Sequence, residues 1–431
     1  MQFDTSSQIP ASSELGSSTN TLDFLLVGCG LRGTGLLTAN PELFGYRIGV
    51  VDASNTLGPG SFDRYRIDSN SYGSDFFGWV DPEGIFGEQL SHPQVRALHE
   101  TEGSFHLSLL ASALQPFGAA IKRVIGPSRV WTGKTVNRIE VENDTVIAVF
   151  EDGLRIHAKF AALALGIRET LHADLRPWKS KTQLSQQIIE QGVPSLWSVK
   201  PQKVVIVGGS HSAYAVANSL RQEGKLAPLS EVTILQRSCT KLFYPNIDSY
   251  RNGIHPFLEC EPNLDTDSCP QTGNLFRYSG LRHAARDTFL CIASASQPGF
   301  TQIKKNCLKS MRRHLDEADV IVQALGYESN CIPLILDGVD ASMLANGSIV
   351  DTTTDGRLKQ HNGSVLPLFV MGMNPYPYDD NSLTPTGQYA ARGKQILNVL
   401  ALAALSETQT SEAGAVTPNS ESSKDQNSWL T

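Results

Sequence analysis

The regular pattern of the chain begins with an unbroken apolar run, Phe24–Val27, followed by a turn of small residues and then by apolar residues at helical spacing. A run that is apolar on both faces predicts a strand buried within a parallel sheet. The same order returns at Val204–Val207, so residues 23–39 and 203–220 echo one another. Each copy leads to a second strand-like run, YRIGVVDAS after the first and EVTILQRS after the second. Two such units predict two nucleotide-binding bodies of α/β type rather than a repeat array. Between them, WTGKTVNRIEVENDTVIAVFEDG alternates apolar and polar positions, which predicts a small antiparallel sheet. VRALHETEGSFHLSLLASAL reads as helix after Gly103, with His99 and His106 as ordinary helix residues. A strand at Leu368–Met371 and a helix from near Thr384 complete the pattern. Residues 241–300 are aromatic but show little periodicity. Residues 1–20 and 406–431 are too poor in apolar side chains to offset chain entropy, and are expected to be disordered tails.

The turns carry the chemistry. The first is Gly28-x-Gly30-x-x-Gly33. Its glycines allow a tight turn, close approach of a pyrophosphate to the backbone, and close packing of helix on strand. The helix that follows offers unpaired N–H groups to the phosphates. Asp52 ends the next strand, where a carboxylate accepts hydrogen bonds from the ribose hydroxyls of an adenosine. The second turn is Gly208-Gly209-Ser210-His211-Ser212-Ala213, with Ser210 and Ala213 in place of the second and third glycines. His211 is expected to help position a cofactor phosphate. No acid follows this turn at the ribose position. Arg237 stands there instead, and a guanidinium suits the 2′-phosphate of NADPH. Two dinucleotide sites in one chain point to FAD on the first unit and NADPH on the second, with hydride passing from nicotinamide to flavin.

Together these segments resemble the class B flavin-dependent monooxygenases, in particular the branch that N-hydroxylates ornithine and lysine. The resemblance runs from about residue 22 to 400 and also rests on FAALALGIRE, on Asp319 through Gly326 and Tyr327, and on LPLFVMGMNPYPYDDNSLTPTGQYAARGKQI. It implies an FAD-binding domain (21–200 and 329–405) with an inserted NADPH-binding domain (201–328), the architecture of the pyridine nucleotide-disulfide oxidoreductases. Gly326 and Gly372 then lie at cofactor-facing turns, Asn374 and Leu383 to Thr386 near the isoalloxazine, and Ser61 and Arg64 on a loop along the flavin. Val136 takes the place that contacts adenine. The family places substrate-facing segments in 241–300, where Arg251, His255 and Arg282 are candidates for an anionic or hydroxylated substrate. A surface subdomain packing its own aromatics is the alternative there. The implied activity is formation of a C4a-(hydro)peroxyflavin that oxygenates a small metabolite, N-hydroxylation being favoured, with molecular oxygen as co-substrate. The Phe-x-Gly-x-x-x-His segment of the Baeyer–Villiger enzymes is missing, and Leu325 replaces the usual Thr before Gly326. A flavin oxidase or dehydrogenase of a hydroxylated metabolite, and a non-catalytic nucleotide-binding redox sensor, are the rival readings.

Composition narrows the picture. A net charge of −7 argues against nucleic acid as a partner. No apolar run approaches the ~18 residues of a membrane span, and the start lacks the pattern of a secretory signal, so a cytoplasmic protein is expected, and the resemblance implies a role in specialised metabolism. The seven cysteines are scattered, with no C-x-x-C, which excludes a dithiol reductase. Cys29 reads as a packed thiol, and no metal site is expected.

Overall fold

A computed structural model describes residues 21–193, 202–222, 230–253, 256–270, 272–341, 352–360, 363–372 and 385–414. The first part of the chain forms β1 (Leu22–Val27), α1 (Leu31–Ala39), β2 (Ile48–Asp52), α2 (Pro93–Glu100), α3 (Leu107–Ile125), β3 (Val130–Thr132), β4 (Val136–Glu142), β5 (Thr145–Phe150) and β6 (Arg155–Leu163). The middle adds β7 (Ile167–Arg168), β8 (Thr182–Leu184), α4 (Ser185–Gln191), β9 (Lys203–Val207), α5 (His211–Gln222), β10 (Glu231–Gln236), α6 (Ile247–Asn252), α7 (His283–Ala293), β11 (Phe300–Lys304), α8 (Leu308–Glu317), β12 (Val320–Gln323) and β13 (Glu328–Ser329). The last part supplies β14 (Leu334–Leu336), β15 (Val339–Asp340), β16 (Arg357–Lys359), β17 (Val365–Val370) and α9 (Pro385–Gly414).

Two sheets organise these elements. In the larger, β3, β2, β1 and β6 run parallel, each paired to the next. The apolar run of β1 is unbroken because both of its faces are covered: Phe24 and Leu26 enter one core with α1, α3 and α9, while Leu25 and Val27 enter the other. The smaller sheet has the order β11-β10-β9-β12-β8 and is parallel throughout. Here Val204 and Ile206 of β9 face α5 and α7, and Val205 and Val207 face α8. The smaller sheet therefore follows the doubly wound plan, with helices on each face, while the larger has helices on one face and strands β4, β5, β14 and β17 on the other.

Four expectations change. The alternating segment is not a separate small sheet. β6 pairs antiparallel with β5 through Arg155–Ala158 and then parallel with β17 through Ala161–Leu163, so β4 and β5 continue the main sheet. The boundary expected at residue 201 falls too late, because β8 already pairs with β12 in the second sheet. The two chain crossings meet earlier, where β7 and β13 form an antiparallel ribbon. Its register is tied by Asn330, whose backbone N–H donates to Gly166 O (3.0 Å) and whose Nδ2 donates to Leu165 O (2.8 Å). Residues 406–414, expected to be loose, continue α9. Ser406 and Thr408 hydroxyls bond back to carbonyls of the preceding turn, and Glu407 pairs with Lys159 at 2.8 Å. Finally, His106 is not inside a helix. It caps α3, its Nδ1 accepting from the Ser108 N–H.

Candidate dinucleotide and substrate sites

The first phosphate turn is locked by sterics. Gly28 has φ +93°, and a Cβ there would meet the Ala164 carbonyl oxygen at 2.3 Å. Gly30 faces Gly60 so closely that an added Cβ would lie 3.2 Å from the Gly60 Cα. The loop carrying Gly60 is fastened by the Gly58 N–H, which donates to Cys29 O at 2.8 Å. Asp52 does more than the sequence suggested. Its buried carboxylate accepts from the Cys29 N–H (2.6 Å) and the Ser54 N–H (2.7 Å), tying the turn to the end of β2. Each oxygen keeps a further lone pair for a ribose hydroxyl. Cys29 is inert: burial first, then the Asp52 charge, push its thiol up to about 12.

This turn is built for an anion. α1 begins with no side-chain cap and no acidic residue in its first turn, so its positive end is uncompensated. Arg32, within the fingerprint, brings Nη1 to a buried position with no hydrogen-bond partner. The guanidinium lies where a Cβ on Gly372 would be, 0.9 Å from that nitrogen, so Gly372 must lack a side chain. An orphaned cation at an uncapped helix start fits the pyrophosphate of FAD. Arg32 was not singled out from the sequence, although a basic residue inside a phosphate fingerprint was the available signal.

The second turn repeats the geometry. A Cβ on Gly208 would meet Ala324 O at 2.1 Å. Gly209 packs on Gln236, Ser210 is exposed, and Ala213 is fully buried under the helix. α5 also has no acid in its first turn. Arg237 is exposed just beyond β10 and makes no ion pair among the described residues. His211 starts α5, and burial, with the charges of Arg282 and His283, lowers its imidazole to about 4. It is neutral near pH 7.

Between the turns lies a cluster that only the fold assembles. Tyr327, just past the second crossing, lies near Ser185, Ser212, Tyr65 and Glu169. Burial, with Tyr65 and Glu169 nearby, holds its phenol well above the usual range. Glu169 is buried, and its Oε2 accepts from the Ser185 hydroxyl and the Gln186 N–H, each at 2.9 Å. Burial raises its carboxyl despite those bonds. Its partners are distant in sequence and left no local signal. Tyr65 lies near Tyr327 and Ser61, and burial raises its phenol.

Residues 58–72 thus follow one path. Gly60 lies on the first turn, and the Arg66 N–H donates to Ile189 O of α4 at 2.8 Å. Asn70 O accepts from Arg282, and the Tyr72 ring meets His283 edge-on at 5.2 Å. Of the expected substrate residues, Arg282 joins this assembly. Arg251 is exposed on α6, and His255 lies outside the described residues. Asn374 and Leu383 also lie outside them. Arg64 is exposed beside Tyr65, Val136 opens β4 opposite Phe150, and Gly326, at φ +105°, is open to solvent.

A parallel-sheet body with an uncapped phosphate turn, interrupted by a second such body, defines the fold of the two-dinucleotide-domain flavoproteins. Solved structures share it: the ornithine N-hydroxylase of Kutzneria sp. 744, solved with reduced FAD, NADP+ and L-ornithine, matches with TM-score 0.57 and 14% identity over 88% of this chain and 99% of that one. The reduced ornithine hydroxylase of Pseudomonas aeruginosa matches with TM-score 0.58 and 15% identity over 88% and 98%. A cyclohexanone monooxygenase with bound ε-caprolactone matches with TM-score 0.55 and 13% identity over 90% and 88%. By sequence, the CMP-5′-(3-aminopropyl)phosphonate hydroxylase of Streptomyces rubellomurinus is 26% identical over 345 residues, 71% of this chain and 76% of that protein. No protein-family profile matches the chain.

Proposed function

We propose that the chain is an FAD- and NADPH-dependent monooxygenase that hydroxylates the amino group of a small metabolite. The observation that carries this reading is the path of residues 58–72, which touches the first phosphate turn and then, in the second body, Ile189 of α4 and Arg282 at the start of α7. One loop shared by both bodies supports direct exchange between two bound dinucleotides. Arg32, the start of α1 and Asp52 hold FAD. Gly208 to Ala213 and Arg237 hold NADPH. Bound FAD and NADPH supply the hydride and oxygen chemistry that side chains lack. The protein's part is to orient both and keep water from the reacting centre. The neighbours named for ornithine hydroxylation and the relative named for an aminopropylphosphonate nucleotide support an amine as the acceptor. The NADPH preference rests on Arg237, and a cytoplasmic setting is proposed with it.

The test is aerobic turnover of the FAD-loaded protein with NADPH and a panel of primary amines: ornithine, lysine, 3-aminopropylphosphonate and its CMP conjugate. The expected product is one amine carrying one added oxygen atom, labelled when 18O2 is supplied. NADPH oxidation that yields hydrogen peroxide with every amine, and no labelled product, contradicts the assignment.

A further inference from the structure

We propose that Cys239 and Cys260 form a dithiol that hydrogen peroxide oxidises to a disulfide, and that this bond weakens the adjoining hold on NADPH. The dithiol stands on the fold alone. Its effect on NADPH rests on the reading of Arg237 and the second turn as the NADPH site.

The two cysteines are far apart in sequence, and the end of the smaller sheet brings their segments together. Gln236 closes β10 and pairs with Lys304 of β11, and its carbonyl accepts from the Lys305 N–H at 2.9 Å. Cys239 follows just beyond this point. Lys304 Nζ meets Glu259 Oε2 at 3.1 Å, which holds the residue before Cys260 against the same sheet end. A second ion pair, Lys241 Nζ to Asp267 Oδ1 at 3.6 Å, ties the two segments again beyond the thiols. Between these ties Cys260 lies beside Cys239, and Lys304 is close to both. Both thiols are free and half-buried, so a small oxidant can reach them.

The surrounding charges set the order of attack. Lys304 and Lys241 favour a thiolate in the pair, while Asp267 and the Tyr244 phenol face Cys260 and oppose it. Burial first, then Cys239, push the Cys260 thiol up to about 12. Cys260 thus keeps its proton, and Cys239 is the sulfur that attacks peroxide. The O–O bond breaks, a sulfenic acid forms on Cys239, and hydroxide leaves. The Cys260 sulfur then attacks that sulfur, the S–O bond breaks, and water leaves with the Cys260 proton. The two thiols lose two electrons, and peroxide is reduced to water. Cys239 stands between Arg237 and Thr240. Thr240 Oγ1 donates to Gln236 Oε1 at 2.8 Å and lies 3.3 Å from Gly209 O in the second phosphate turn. A disulfide therefore pulls on the strand end that carries Arg237 and braces that turn. Hydrogen peroxide is also the product of NADPH oxidation when no amine accepts the oxygen, so the bond would slow that loss.

The experiment treats the thiol-reduced, FAD-loaded protein with an equimolar amount of hydrogen peroxide, alkylates the remaining thiols and maps the peptides by mass spectrometry. The expected product is a Cys239–Cys260 disulfide, reversed by dithiothreitol, with flavin content unchanged. Flavin reduction is then followed without oxygen. Apparent affinity for NADPH should fall about tenfold, the loss of one charge-assisted contact, and affinity for NADH much less. Cys260→Ser should leave NADPH use by the untreated protein unchanged and abolish the peroxide effect. If that variant does not fold, Cys239→Ser serves in its place with the same expectation. Oxidation of Cys239 to a sulfinic acid with Cys260 still free overturns the proposal. So does a disulfide to Cys269, whose Sγ accepts from Arg277 at 3.0 Å. A Cys239–Cys260 bond that leaves NADPH affinity unchanged overturns the effect on the cofactor. If the bond forms but neither nucleotide reduces the untreated flavin, the NADPH reading fails and the dithiol stands.

Discussion

At Gly28, what matters is the absence of a side chain. Gly28→Ala drives a Cβ into the Ala164 carbonyl at a positive φ, so the variant is expected to be purified without flavin, read by the loss of visible absorbance. Arg32→Ala leaves the backbone intact and removes only the orphaned guanidinium. FAD affinity should fall about tenfold or more, measured by flavin fluorescence on titration of the apoprotein. His211 supplies a pH signature. Its folded pKa of about 4 lies below the ordinary histidine value, so the unfolded chain binds the extra proton between those two points. Stability therefore falls as pH drops from about 6.5 toward 4, by up to about 3 kcal/mol, and His211→Gln should flatten that slope in urea melts. The fingerprint glycines and Asp52 were legible because a turn against a phosphate restricts residue choice locally. Arg32 and Glu169 were not, because their meaning lies in Gly372 and Ser185, contacts made only by folding.

Among elements, strands covered on both faces were the easiest to read, and short edge strands the hardest. β8 has three residues and no pattern of its own, yet it moves the domain boundary upstream of residue 201. α7 was missed for a different reason. It buries Ala285, Thr288, Phe289 and Ile292, a true helical spacing, but the threonine interrupts the apolar signal. The long α9 is held on α1 through Asn40, whose buried Nδ2 donates to Leu36 O (2.8 Å) and Tyr389 O (3.1 Å). Asn40→Ala strands both carbonyls and should cost about 1–3 kcal/mol, visible as a lower thermal midpoint with the fold retained.

Across the whole molecule, two bodies meet at the β7–β13 ribbon, and the loop of residues 58–72 runs from the first phosphate turn to Ile189 of α4 and to Arg282 at the start of α7. No described helix is long and apolar enough to cross a membrane. The central claim is that two dinucleotides exchange a hydride here and that oxygen then reacts at the reduced flavin. The most direct measurement is stopped-flow absorbance of the FAD-loaded protein, reduced by NADPH without oxygen and then mixed with oxygen. The account predicts rapid bleaching by NADPH, slower with NADH and slowed further by Arg237→Ala. On oxygen it predicts a transient distinct from both reduced and oxidised flavin, longer-lived with NADP+ bound. A protein that binds no flavin, or whose bound flavin neither nucleotide reduces, would contradict it.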